Sequence, residues 1–108
     1  MNPRNRVEQM PVDVFGNDDG FVLVADLPGV RVEDLTVELD KGLLTVAGLR
    51  RLGLDGENAE TPTFEYRRRF QVPDEIDGER VAARLEHGVL TVTLPKAEAH
   101  KPRRIPIS

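Results

Sequence analysis

The sequence predicts an all-β fold, an antiparallel β-sandwich, and three observations carry that prediction. Apolar and polar residues alternate with a period of two along most of the 108-residue chain, the spacing that turns one side of a strand to a core and the other to water. Turn-forming residues interrupt the alternation at close intervals. No segment sustains the 3.6-residue period of an amphipathic helix. Seven short strands with such turns fit two stacked antiparallel sheets.

The elements follow in order. "VDVF" at 12–15 alternates, "GNDDG" at 16–20 supplies turn residues, and "FVLVADL" at 21–27 resumes the pattern, which together read as a hairpin. Pro28-Gly29 ends the second strand, because proline donates no ladder hydrogen bond and glycine accepts a positive φ. "VEDLTVEL" at 32–39 places Leu35, Val37 and Leu39 on one face and Thr36 and Glu38 on the other. "DKG" turns the chain into "LLTVAGL" at 43–49. The polar stretch "GLDGENAETP" at 53–62 reads as a loop. "TFEYRRRFQV" at 63–72 alternates again, and "PDEIDGE" at 73–79 is a turn cluster with room for one helical turn. "RVAARLE" at 80–86 offers Val81, Ala83 and Leu85 on one face; Ala and Arg also allow a helical reading of 81–85, but its brevity and the flanking glycines favour a strand. "HG" then leads into "VLTVTLP" at 89–95.

Two of these strand entries echo each other: "KGLLTVAGLR" from Lys41 and "HGVLTVTLPK" from His87. Glycine is the least strained residue for a tight turn ahead of a strand, so Gly42 and Gly88 read as structural.

Composition excludes several function classes. With 39% hydrophobic and 31% charged residues the chain is globular, and a formal net charge of −4 argues against a general nucleic-acid or anionic-membrane binder. No apolar run reaches membrane-spanning length, and "MNPRNRVEQM" has no apolar core of a secretory signal. Cysteine is absent, which excludes thiol chemistry and fits a reducing compartment, so the expected location is cytoplasmic. Serine occurs only at Ser108, so a Ser-His-Asp hydrolase is out, and no glycine-rich nucleotide loop exists. His87 and His100 stand alone, without the spacing a metal site needs. Asp18-Asp19 and Glu33-Asp34 flank turns and need no catalytic role. The expectation is a protein with no cofactor, no metal and no enzymatic activity.

Two features invite a functional reading. Arg67-Arg68-Arg69, with Arg50-Arg51 and Arg103-Arg104, could form an anion patch. On an alternating strand, however, Arg68 points away from Arg67 and Arg69, and carboxylates are plentiful, so ion pairs at an interface or a solvated face are expected. The second feature is the end of the sequence, where polar "AEAHKPRR" leads into Ile105-Pro106-Ile107-Ser108. Ile105 and Ile107 share a face in an extended arm, and Pro106 keeps the arm extended. Two branched side chains on a stiff segment suit adjacent holes in a strand-lined groove. The alternative is an ordinary edge strand of the same domain.

"ADLPGV" at 25–30, "DKGLLTVAG" at 40–48, "EHGVLTVTLPK" at 86–96 and the terminal "IPI" together resemble the small heat shock protein (Hsp20, α-crystallin domain) family, in the family's order and over nearly the whole chain. The resemblance implies an immunoglobulin-like antiparallel β-sandwich of seven to eight strands. It divides the chain into a short N-terminal arm (1–10), an α-crystallin domain (11–97) and a C-terminal extension (98–108). It further implies an ATP-independent holdase that binds unfolding proteins, assembles with itself as dimers or larger oligomers, and uses neither nucleic acid nor membrane.

Its tail motif would be Ile105, Pro106 and Ile107. The groove for a tail or a client would be formed by Leu35, Val37 and Leu39 with Val81, Ala83 and Leu85. An arginine near the dimer interface would fall at Arg68 or Arg69. Two departures stand out: the segment between Gly48 and Phe64 shows no obvious extra strand for exchange between partners, and the N-terminal arm is short and polar. The alternatives are a co-chaperone or adaptor with the related p23-type sandwich, which needs no such tail, and a partner-dependent subunit of a mixed assembly.

Overall fold

Two glycine-led turns with the same backbone geometry set the register of the fold. The computed structural model describes residues 5–8, 10–51, 63–98, 102 and 104–107; the expected loop at 53–62 and His100 lie outside them. Lys41 (φ 50°) and Gly42 (φ 78°) join β4 (Val30–Asp40) to β5 (Leu43–Arg51). His87 (φ 52°) and Gly88 (φ 77°) join β7 (Ala82–Glu86) to β8 (Val89–Pro95). Positive φ at both central residues is the hairpin geometry whose twist matches the flanking strands. Each glycine carbonyl also accepts a bond from a distant segment: Val72 N–H reaches Gly42 O and Leu27 N–H reaches Gly88 O, both at 2.8 Å. The repeated entry is therefore two copies of one turn, each tied down the same way.

A third hairpin joins β2 (Val12–Asn17) to β3 (Gly20–Asp26) through Asp18-Asp19. The Asn17 side-chain carbonyl accepts from the N–H groups of Asp19 and Gly20 at 2.8 and 3.2 Å, a local bond that competes with continued strand and closes the turn. Gly16, Asn17 and Gly20, expected in the turn, belong to the strands. After β3, Leu27-Pro28-Gly29-Val30 turns with Gly29 at φ 80° and a Val30 N–H bond to Leu27 O of 3.2 Å. Asp77 caps a single 3-10 turn, Gly78–Arg80, by accepting from Glu79 N–H at 3.1 Å. That is the helical turn the 73–79 cluster allowed for.

The strands form two four-stranded sheets. One has the order β1-β6-β5-β4, with β1 at Asn5–Glu8 and β6 at Thr63–Gln71; the other has the order β2-β3-β8-β7. All pairings are antiparallel except β1 with β6, which run parallel with Asn5 opposite Thr63 and Glu8 opposite Tyr66. The fold is thus the expected all-β sandwich, with eight strands among the described residues. Residues 5–8, read from sequence as part of a polar arm, supply a strand because backbone pairing needs no apolar side chains.

The core lies between the sheets. Leu23, Ala25 and Leu27 from β3 and its exit, Leu44 and Val46 from β5, and Leu90, Val92 and Leu94 from β8 are buried, with Met10 and Val30. Among the described residues no polar or charged one is buried, so the interior carries no unpaired polar group that would cost stability.

Candidate functional site: an apolar groove between two edge strands

Sheet order places β4 at the end of one sheet and β7 at the end of the other, on the same side of the sandwich. Among the described residues each strand therefore has an unpaired edge, and the inward faces beside those edges are apolar. Leu35, Val37, Ala83 and Leu85, all expected from sequence, line one cavity of about 210 Å³ together with Val32, Arg84 and Leu90. The cavity is a trough open to solvent: Leu35, Val37 and Leu85 are only half-buried and Ala83 is exposed.

The other two expected groove residues lie apart from that cavity. Leu39 lines a neighbouring cavity of about 400 Å³, with Lys41, Asp74, Ile76, Gly78 and Glu79 among its walls. Val81 falls just before β7 and packs half-buried against the core. Gly78 lies against Leu39 in that cavity, where a Cβ on it would meet Leu39 Cδ2 at 3.3 Å.

Val32 was missed because strict alternation from Leu35 turns it outward. The β4–β5 register breaks between Val30 and Leu35, and an irregularity of this kind re-aims side chains locally. Val32 ends up 68% exposed at the trough's rim. Arg31 and Arg51 brace the irregular stretch through Asp34. Arg51 donates from Nη2 to Oδ1 at 3.1 Å and from Nε to Oδ2 at 3.4 Å, and Arg31 Nε approaches Oδ2 at 3.4 Å. The hydrogen bond from Arg51 is the main reason the Asp34 carboxyl sits below the usual carboxylate range; partial burial opposes it, and the charges of Arg51 and Arg31 reinforce it.

The tail does not reach this trough in its own chain. Ile105 is 79% exposed and Ile107 is 95% exposed, an arrangement water disfavours for branched apolar side chains.

The arginine run divides by register. Arg68 pairs opposite Val46 and Arg69 opposite Thr45, so Arg68 faces the other sheet and Arg69 faces solvent. Arg68 donates from Nη1 to Met10 O at 3.4 Å and lies 5.0 Å from the Phe70 ring centroid, a cation–π contact. Arg67 pairs with Glu65 on the outer face. Arg103 lies outside the described residues, and among those described no single arginine patch results. Another edge strand, β2, unpaired on its outer side among the described residues, carries Val14 and Phe15, 56% and 60% exposed; alternation alone gave no sign of this pair. Among the described residues no cluster of His, Cys, Asp or Glu could hold a metal, and no helix is long and apolar enough to cross a membrane.

Comparison with known proteins agrees with this architecture. The model of the Hsp20/alpha crystallin family matches residues 13–108. The "18 kDa antigen 2" of Mycobacterium avium is 37% identical over 103 residues, covering 92% of this chain and 74% of that protein. A 16.6 kDa heat shock protein of rice is 41% identical over 108 residues, covering 90% of this chain and 72% of its own length. A small heat-shock protein from Xylella fastidiosa, described as having a distinct high order structure, superposes with a TM-score of 0.71 at 34% identity, over 94% of this chain and 97% of that one.

Proposed function

The chain belongs to the Hsp20/alpha crystallin family of small heat shock proteins, and from that premise we propose that it is a holdase: it binds apolar segments of unfolding proteins and keeps them from aggregating. Proteins of this family are ATP-independent chaperones and not enzymes. The observation that carries the reading is the pairing of an uncovered apolar trough with an uncovered apolar tail in one chain. Leu35, Val37 and Leu85 offer the slot, and Ile105 and Ile107 offer side chains at the spacing of alternate strand positions.

The energetics favour a contact that forms and releases. Burying two isoleucines stabilises by roughly 1.5–3 kcal/mol each, while ordering each tail residue costs about 1–2 kcal/mol. A single docked tail is therefore weak, and many tails in one assembly raise avidity by roughly 10²–10⁴-fold. Warming or dilution frees troughs and edges together, and these take exposed strands of a client. The β2 edge with Val14 and Phe15, and the outward Arg69 near the inward Arg68, are the further surfaces for self-contact. The protein works in the cytoplasm, with itself and unfolding proteins as partners.

Light scattering from a heat-labile client tests the proposal. At near-stoichiometric ratio the protein should suppress client aggregation, and Leu35→Ser with Leu85→Ser should lose most of that protection while circular dichroism shows an intact sheet. Full protection by the folded double variant would reject the trough as the client site.

A further inference from the structure

At the end of the sandwich where β3 begins and β6 and β8 finish, the sheets part around a cavity of about 220 Å³, separate from the trough. Leu44 and Leu94 form its buried floor. Phe21 and Phe70 are half-buried walls contributed by opposite sheets, and Val14 and Gln71 stand exposed at its mouth. Gly16 makes room for one wall, since a Cβ there would meet the Phe21 ring at 2.8 Å. Gln71 is the one polar residue lining this cavity, whereas the cavity beside Leu39 has Lys41, Asp74 and Glu79 in its walls.

Each aromatic wall carries a cation. Arg68 lies 5.0 Å from the Phe70 centroid, but it is committed to the fold through Met10 O. Lys96 Nζ lies 5.8 Å from the Phe21 centroid. Lys96 follows Leu94 by two residues and is bridged to Ile76, a further lining residue, so it stands at a corner where three walls meet. It is half-buried, and among the described residues no carboxylate pairs with it. A cation drawn partly out of water and balanced by a ring quadrupole gains from an anion placed beside it.

We propose that this cavity is a binding site for a small aromatic carboxylate, with its rings between Phe21 and Phe70 and its carboxylate on Lys96 Nζ. An apolar cavity of about 150 Å³ accepts a single benzene ring, so this one has room for a second. Two phenylalanines offer offset and edge-to-face contacts that an aliphatic chain cannot use. The ammonium at the corner selects an acid over a neutral or cationic ring compound. A ligand held by both sheets stabilises the folded domain as its occupancy rises. The site shares no lining residue with the trough, so it stands or falls apart from the holdase reading.

Equilibrium dialysis of the intact chain against naphthoate, naphthalenemethanol and naphthylmethylamine tests the site. The acid should bind with a dissociation constant of roughly 0.1–1 mM. That is about three- to tenfold tighter than the alcohol, with the amine weaker still. Lys96→Met, which keeps the stem against Phe21, should bring acid and alcohol level, and Lys96→Glu should make the amine the better ligand. Val72→Trp, which fills the cavity from its wall, should abolish binding of all three while circular dichroism shows an intact sheet. Val14→Trp, at the exposed mouth where the fold tolerates it, should weaken binding as well. Leu35→Ser with Leu85→Ser, in the trough, should leave the affinities unchanged. Equal binding of the three compounds by the native chain would overturn the carboxylate and leave an apolar socket for a side chain of another copy. No binding at millimolar concentration, or binding that survives both tryptophan variants, would overturn the site.

Discussion

On one side of the sandwich the chain crosses from β1 to β2, and Met10 fills the gap between the sheets at 1% exposure; on the opposite side β4 and β7 face each other with only a trough between them. Both sides lie where an edge strand of one sheet comes near an edge strand of the other. The first is closed by the chain's own methionine, whose carbonyl is held by Arg68. The second is left for something else to close. A sandwich with one permanently filled side keeps its fold when the other is empty, and that separation lets an apolar surface come and go without unfolding the domain.

The largest test of this contrast is Met10→Ala. Removing a buried side chain that nothing else can replace should cost about 2–5 kcal/mol of unfolding free energy, measured by urea titration. A loss under about 1 kcal/mol would mean that side is not closed by Met10. Next comes Gly88→Ala, which sharpens how β7 is presented at the trough. A Cβ there meets nothing nearer than Pro28 Cα at 3.5 Å, so the cost is conformational, about 1–2 kcal/mol for a left-handed residue.

Val37→Ala measures the open side directly. Val37 is half-buried, so unfolding free energy should fall by only about 1 kcal/mol, while assembly weakens visibly in sedimentation. A loss as large as that of Met10→Ala would erase the distinction between the two sides.

The smallest effect belongs to Asp34→Asn, at the braced end of the trough. Arg51 holds the native carboxyl below its ordinary range, so its stabilisation is present above the unfolded pKa of about 3.9 and disappears as pH falls through the lowered folded value. The variant should be less stable at pH 7 by about 0.2–1 kcal/mol, and the gap should close in acid. A gap that widens in acid would contradict the assignment.

These two sides were unequally legible in the sequence. Alternation located β3, β5, β6 and β8 well, because both the pattern and the turn residues agreed there. It also placed Leu35, Val37, Ala83 and Leu85, since a trough wall is simply the inward face of an edge strand. Met10 and β1 were not legible: one methionine in a polar stretch carries no period, and a parallel strand of "NRVE" is specified by backbone pairing with β6. Val32 was hidden by the register break in β4, which alternation cannot foresee. The exposed pair Val14 and Phe15 was read as ordinary strand, because sheet order decides which strand has a free edge.

Mass in solution by multi-angle light scattering, for the intact chain and for Ile105→Ala with Ile107→Ala, tests the central claim most directly. Both side chains are exposed in the isolated chain, so the double variant should unfold at the same urea concentration yet form a markedly smaller assembly. An unchanged mass would contradict the account, because it would mean that the open side is not where one molecule holds another.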